Sequence, residues 1–169
     1  MEIKLAQLYN QLAKQTISMI PDKWQKIYYL GEVEKGMASC SSVFYYVDST
    51  GRIIECNEIP EVYKVPKSIF LDLMAKLNRI LLEIYECFQN NEQDLWEQLT
   101  LFINSEGKFK IDFEYNVMND DDGGQVMRET LWAYKTFAYK PKEGTYMRKL
   151  LEKWIKEHDK EIENSHPIQ

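Results

Sequence analysis

The chain has 169 residues, of which 44% are hydrophobic and 28% are charged, with seven Gly and five Pro. This composition excludes a low-complexity or disordered chain, and the length suits one globular domain over residues 1–169. The net charge of the whole chain is −6, yet residues 80–127 contain eleven Asp or Glu and two Lys, a net charge of −9. Such a segment repels nucleic acid and attracts a basic protein, so we expect no direct nucleic-acid binding.

The sequence indicates neither export nor a membrane span. The first fifteen residues are amphipathic and interrupted by charge, which is not typical of a signal peptide. No run approaches the roughly 18 apolar residues that a membrane span needs. Cys40, Cys56 and Cys87 are odd in number and have no short spacing, a poor framework for disulfides. We therefore expect a cytoplasmic protein with reduced thiols.

The first part of the chain predicts a helix and then three strands. Apolar residues recur at three- and four-residue intervals over residues 5–20, which predicts a first helix ending near Pro21. The segments IYYLGEVE and SSVFYYVD, at 27–34 and 41–48, are rich in aromatic and β-branched residues and favour strands. A turn after the second strand allows residues 52–56 to return as a third, so an antiparallel meander is expected.

The middle of the chain predicts a long helix and a hairpin. An apolar face recurs at helical spacing over residues 69–88, after Pro66. The runs at 99–103 and 108–116 flank the turn Asn104-Ser105-Glu106-Gly107 and predict two paired strands. The second strand alternates, with Phe109, Ile111, Phe113 and Tyr115 on one face and Lys108, Lys110, Asp112, Glu114 and Asn116 on the other. One face is therefore expected to be buried and the other wet.

The end of the chain predicts two helices. Residues 125–139 have apolar positions near helical spacing, but their aromatic density leaves a strand as an alternative. Residues 143–163 have an apolar stripe and many charges, which is typical of a solvated terminal helix. Because strands follow one another rather than alternate with helices, we predict an α+β fold. Its antiparallel sheet has about five strands, in two hairpin or meander units, packed against the N-terminal, long central and C-terminal helices.

No catalytic constellation is visible. The two histidines, His158 and His166, lie at the end of the last predicted helix and in the tail. Cys40 lies in a predicted strand and is interpreted as a packing residue. Neither a glycine-rich phosphate loop nor a zinc spacing of Cys and His occurs. These observations predict that the protein is not an enzyme and has no cofactor.

The triplet Asp120, Asp121 and Asp122 admits three interpretations. Aligned on Gly123 as the glycine of a calcium loop, Asp120, Asp122 and Glu129 fall at ligand positions, but Met118 falls at the first and cannot ligate calcium. Alternatively, Asp121 or Asp122 caps the following helix and the others are solvated. The third interpretation is that the triplet binds a basic partner.

Three further residues are candidates for partner binding. Asp112 and Glu114 share a strand face with two lysines, which favours a solvated surface with ion pairs over an acid and base pair. Trp96 lies in a polar break among acidic residues, so it is either a packing residue or an interface anchor. The sequence leaves open whether residues 83–97 fold back to join the other carboxylates.

The chain resembles the YezG-like immunity or antitoxin proteins of Gram-positive bacteria. The matching segments are LYNQLAKQTISMIPDKWQKIYYLGEVE, VFYYVD, IPEVYKVPKSIFLDLMAKL, GKFKIDFEYN and RETLWAYKTFAYKP, which lie within residues 5–145. Two departures are Ala138, where such proteins commonly have Gly, and an Asp triplet more acidic than usual. The resemblance implies a cytoplasmic, noncatalytic protein that binds and neutralises a toxin, typically a secreted nuclease with a basic active-site face.

These observations lead to one hypothesis and two alternatives. The hypothesis is an immunity protein that docks Asp112, Glu114, Asp120, Asp121 and Asp122, with Trp96 as an apolar anchor, on the nucleic-acid groove of a basic toxin. One alternative is a metal-dependent enzyme that uses the loop Asp120–Asp122. The other is a protein-interaction domain whose partner is not a toxin.

Overall fold

The computed structural model describes residues 1–165, with side chains described through His158, so His166 lies outside the described residues. The chain divides into two compact units, Met1–Met118 and a second that begins at Asn119. A single domain over residues 1–169 stays a prediction. Among the described residues, no helix is long and apolar enough to cross a membrane.

The first unit contains two long helices that contact each other. Helix α1 (Glu2–Ser18) buries the stripe that includes Leu5, Leu8 and Leu12, as its helical spacing predicts. Gln15 of α1 donates a hydrogen bond through Nε2 to the Leu73 carbonyl oxygen of the long central helix, at 3.2 Å. This bond ties the C-terminal half of α1 to the N-terminal half of the central helix.

The first unit also contains a five-stranded antiparallel sheet, so the predicted α+β class is confirmed. In chain order, the elements after α1 are β1 (Trp24–Val33), β2 (Cys40–Asp48), β3 (Ile53–Glu55), the short helix α2 (Ile59–Val62), the long central helix α3 (Lys67–Asn90), β4 (Gln98–Ile103) and β5 (Phe109–Glu114). The strand order is β3-β2-β1-β4-β5. The hairpin after α3 therefore returns beside β1, which places β1 at the centre and β5 at an edge.

The centre of the sheet is built for close contact with α3. A side chain at Gly31 of β1 would place its Cβ 2.6 Å from Leu81 Cδ1 and 2.7 Å from the Tyr29 hydroxyl oxygen. Leu81 and Tyr29 are both fully buried or nearly so. A larger residue at this position would therefore force the ends of the Leu81 and Tyr29 side chains to shift in a fully buried contact between α3 and β1.

The second unit consists of α4 (Gln125–Phe137) and α5 (Tyr146–Ser165), so residues 125–137 form a helix rather than a strand. Helix α4 ends at Ala138, whose φ of 57° is left-handed and whose N–H donates to the Tyr134 carbonyl oxygen at 2.9 Å. Glycine adopts this conformation without a steric cost. The glycine that the resemblance leads us to expect at this position would fit this conformation, and Ala138 is strained by comparison.

Candidate partner-binding surface

The outward face of β5 carries the first group of candidate residues. Lys110, Asp112 and Glu114 are exposed, whereas the alternate residues Phe109 and Phe113 are half-buried. The two-residue period of a strand produces this alternation. The predicted division into a wet face and an apolar face is confirmed within β5, but Tyr115, which was predicted on the apolar face, lies beyond the strand and is exposed.

Ion pairs balance the charge on this face. Lys110 Nζ lies 3.3 Å from a carboxylate oxygen of Asp112, and Lys108 Nζ lies 3.3 Å from one of Glu106. All four side chains are more than half exposed, so each pair contributes little to stability. Because two lysines accompany Asp112 and Glu114, this face is mixed in charge rather than purely acidic.

A row of three residues across three strands runs from the exposed Glu114 to a buried carboxylate. Gln98 of β4 pairs in register with Glu32 of β1 on one side and Glu114 of β5 on the other. The Gln98 side-chain amide donates to Glu32 Oε2 at 2.9 Å, and Glu32 is only 3% exposed. Sequence reasoning missed Glu32, although its place in the alternating strand IYYLGEVE is the signal that assigns its face.

Of the two interpretations of Trp96, the structure fits the packing residue and contradicts the interface anchor. The indole is fully buried, and its ring centroid lies 5.3 Å from Tyr85, 6.3 Å from Phe88 and 5.4 Å from Phe113. The polar break in the sequence suggested exposure, but the chain turns inward at Leu95 before β4 begins. Trp96 therefore packs β5 onto α3 and cannot contact a partner.

Residues 83–97 reach the end of β5, but their last carboxylate is used internally. The backbone N–H of Glu97 donates to the Glu114 carbonyl oxygen at 2.9 Å. The Glu97 carboxylate is buried and accepts the Met118 N–H at 3.3 Å. Glu97 thus joins β5 through the backbone without adding an exposed charge.

In the second unit, the loop before α4 is organised by Asp122. Its two carboxylate oxygens accept the backbone N–H groups of Asn119 and Gly124, at 3.0 and 2.8 Å. Arg128, in the first turn of α4, contacts both oxygens through Nη1 at 3.1 and 3.0 Å. Asp122 therefore holds the loop to the start of the helix and is not a free surface charge.

These contacts also set the ionisation of Asp122. Burial by itself would raise the pKa of this carboxyl, but the N–H groups of Asn119 and Gly124 and the guanidinium of Arg128 outweigh it and lower the pKa. The carboxylate is therefore ionised under ordinary conditions, and its charge is matched locally by Arg128. The predicted capping of α4 by Asp121 or Asp122 is wrong, because the N-cap is Gly124 and has no side-chain cap hydrogen bond. Asp122 instead holds the loop to Arg128, which explains this residue better than partner binding does.

Asp120 and Asp121 differ from Asp122, since both are exposed. The backbone N–H of Asp121 donates to Asn119 Oδ1 at 3.0 Å, which fixes the turn. This bond involves neither the Asp120 carboxylate nor the Asp121 carboxylate. These two residues are thus the solvent-facing acids of the loop.

Comparison with known proteins assigns the chain to a family. The family model described as immunity protein YezG-like matches residues 5–151. The chain belongs to the YezG-like immunity protein family. Immunity protein YezG of Bacillus spizizenii is 31% identical over 94% of this chain and 98% of its own length. The type VII secretion system protein EsaG of Staphylococcus aureus is 27% identical over 96% and 98%, and immunity protein YezG of Bacillus subtilis is 29% identical over 80% and 89%.

Membership supports an immunity role for this YezG-like protein, in which the partner is a toxin. The matched residues include β5 and the loop before α4, so both groups of exposed carboxylates lie within the family's common region. The predicted resemblance to this family is confirmed.

The metal interpretation of the loop gains no support in this YezG-like protein. Asp122 is committed to Arg128 and two backbone N–H groups, and Glu129 accepts a hydrogen bond from the Gln125 side-chain amide at 2.9 Å. Within the described residues, no group of three or more Asp, Glu, His or Cys side chains is placed to hold a metal ion. Of the three ligands in the calcium-loop interpretation, Asp122 and Glu129 thus accept hydrogen bonds from other side chains, and Asp120 is the third.

Cys40 is likewise unsuited to nucleophilic catalysis. It lies on β2, and burial raises the pKa of its thiol. A raised pKa lowers the fraction of thiolate, which is the reactive form. His158, the described histidine, stacks on Trp154 with ring centroids 4.4 Å apart, and its Nδ1 lies 2.9 Å from the Trp154 carbonyl oxygen. This histidine is therefore accounted for by packing within α5.

Proposed function

We propose that this chain is the immunity partner of a nuclease toxin and blocks the toxin's basic substrate-binding face. The contacts come from the solvent-facing carboxylates of two segments, Asp112 with Glu114 on β5 and Asp120 with Asp121 in the loop before α4. The observation that carries the proposal is the exposure of these four acids in a family of immunity proteins. Asp122 and Trp96, which were also candidates, instead hold their own segments in place.

The chemistry of nucleases supplies the physical reason. A nuclease binds the phosphates of its substrate through lysine and arginine side chains. Carboxylates on an inhibitor can pair with the same cations and so exclude the substrate. Opposite charge also steers the two proteins together, which raises the association rate in a salt-dependent way. An immunity protein benefits from rapid association because its toxin must be captured before it reaches DNA.

The two segments are expected to differ in strength. Asp112 has Lys110 at 3.3 Å, so part of its field is cancelled before a partner arrives. Asp120 and Asp121 lie in a loop whose cation, Arg128, is directed at Asp122. The loop pair should therefore contribute more to electrostatic steering than the strand pair.

The first step is to look beside this gene for a larger gene with a basic, nuclease-like C-terminal region, and that region is then used as the candidate toxin. Its DNA cleavage is measured with and without this chain, and association rates are measured for the wild type, D120N/D121N and D112N/E114Q. We expect the wild type to abolish cleavage at equimolar ratio. We expect D120N/D121N to associate about tenfold more slowly at low salt, with D112N/E114Q less affected. These differences should shrink at high salt, because screening weakens exposed charges.

A matched control removes two charges elsewhere. Asp72 and Glu86 are exposed on α3, so D72N/E86Q changes net charge equally without touching either segment. Undiminished cleavage in the presence of the wild type would refute neutralisation of this nuclease. Full inhibition with equal association rates for all three variants would refute the acidic contact alone.

A further inference from the structure

The outer edge of β5 is an unused hydrogen-bonding surface. The Asn104 N–H donates to the Lys108 carbonyl oxygen at 2.9 Å, which shows which residues of β5 direct their backbone groups to β4. In an antiparallel ladder, alternate residues direct their backbone groups to the same neighbour. Lys110 and Asp112 therefore face β4 with their backbone groups, while Phe109, Ile111 and Phe113 direct theirs away from the sheet. Within residues 1–165, no backbone hydrogen bond to these outward groups is formed.

Along β5, the charged side chains before Ile111 are positive and those after it are negative. Lys108 and Lys110 precede it at alternate positions, and Asp112 and Glu114 follow it. If a second copy pairs antiparallel with its own Ile111 opposite this one, Lys110 faces Asp112 and Lys108 faces Glu114. A two-fold axis repeats both contacts, which gives four pairs of unlike charge.

Neighbouring registers do not have this property. A shift of two residues in one direction places Asp112 opposite Asp112 of the second copy. The same shift in the other direction places Lys110 opposite Lys110. Like charges directly opposite one another destabilise a strand pair, so the charges specify one register.

The backbone and the apolar face agree with that register. Ile111 opposite Ile111 and Phe109 opposite Phe113 are pairs of residues whose backbone groups both point outward, as hydrogen-bonded pairs require. The same pairs place aromatic and β-branched side chains beside each other on the apolar face. The direction of the backbone groups, the charges and the side-chain shapes thus each favour the pairing with Ile111 opposite Ile111.

We propose that two copies of this chain pair antiparallel along β5, centred on Ile111, and join their sheets into one of ten strands. A charged edge strand ordinarily discourages pairing, but here each charge meets its opposite. The exposed pair of Lys110 with Asp112 within one chain is weak and exchanges for the same pair between chains. The other edge strand, β3, has only three residues and offers a much shorter ladder.

Charge exchange provides the test. Sedimentation equilibrium over a broad concentration range is measured for the wild type, K110D, D112K and the double variant K110D/D112K, in the absence of any toxin. We expect the wild type to dimerise. Each single variant places like charges at two symmetric contacts, so we expect dimerisation at least about tenfold weaker. The double variant restores opposite charges and should recover wild-type affinity.

The control D72K changes the charge of an exposed residue on α3 and should dimerise like the wild type. Circular dichroism checks that every variant is folded, since all substituted side chains are exposed. A wild type that stays monomeric at every concentration would overturn the proposal and leave the edge to other partners, such as a toxin strand. Single variants that dimerise like the wild type, or a double variant that does not recover, would overturn it too. Because no toxin is present, these outcomes are independent of the nuclease test.

Discussion

Strand β5 and the loop before α4 both carry exposed carboxylates, but opposite kinds of side chain hold the two segments in place. Phe113, on the apolar face of β5, contacts the buried ring of Trp96, while the charged face of the strand is exposed. In the loop, the carboxylate of Asp122 is the organising group, with three donors directed at it. On β5 the charges are thus available to partners, whereas in the loop one charge in three is part of the framework.

This difference shows why counting charges along a sequence does not define a binding surface. Glu97 and Asp122 both contribute to the net charge of residues 80–127, yet each accepts backbone hydrogen bonds inside its own unit. A carboxylate that accepts backbone N–H groups is structural, because its removal leaves donors without an acceptor. The exposed remainder of the segment is what a partner meets.

The largest expected effect concerns the apolar side of β5. We expect Trp96→Ala to lower the free energy of unfolding by about 3–5 kcal/mol, because it empties a fully buried site between α3 and β5. Denaturant unfolding followed by circular dichroism measures the change, and Trp96→Phe, with a smaller loss, serves if the alanine variant does not fold. Tyr146→Ala, at a residue that is 74% exposed, should stay within about 0.5 kcal/mol of the wild type. An equally small change for Trp96→Ala would show that aromatic contacts do not hold β5.

The sequence predicted most of the elements because their periodicities are strong. Helix α3 and the alternation along β5 follow directly from apolar spacing. The return of β4 beside β1 was not predicted, because strand order depends on contacts between residues far apart in the chain. The sequence could not decide between packing and partner binding for Trp96 for a related reason, since its local neighbours are polar and its packing partners are distant.

The candidate site was predicted less well than the fold. The sequence placed Asp112 and Glu114 on a wet face, because a strand fixes the direction of alternate side chains. It could not rank the three residues of the Asp triplet, because a loop has no such period. Only the positions of Arg128 and of the loop N–H groups separate Asp122 from Asp120 and Asp121.

A middle-sized effect is expected when the structural carboxylate is compared with a solvent-facing one. We expect Asp122→Ala to lower the free energy of unfolding by about 1–2 kcal/mol, because two backbone N–H groups and Arg128 lose their acceptor. Asp112→Ala should change it by less than about 0.5 kcal/mol, since its pair with Lys110 is exposed. Thermal and denaturant unfolding at low protein concentration, where self-association does not contribute, measures both. Equal losses for the two variants would remove the distinction between the regions.

The smallest effect is a pH dependence that isolates the charge of Asp122. Its pKa is lower in the folded protein than in the unfolded chain, so its ionised form stabilises the fold above the unfolded pKa of about 4. That contribution is lost as pH falls through the folded pKa. The difference in unfolding free energy between the wild type and Asp122→Asn should therefore be largest near neutral pH and shrink in acid.

The Asp48 carboxyl also has a lowered pKa. The Thr50 hydroxyl and the N–H groups of Thr50 and Arg52 lower it against the opposing effect of burial. Because Asp48 is present in both proteins, its contribution cancels in the difference. Urea unfolding from about pH 7 to about pH 3 measures it. A difference that does not vary with pH would mean that the shape of the Asp122 side chain, rather than its charge, organises the loop.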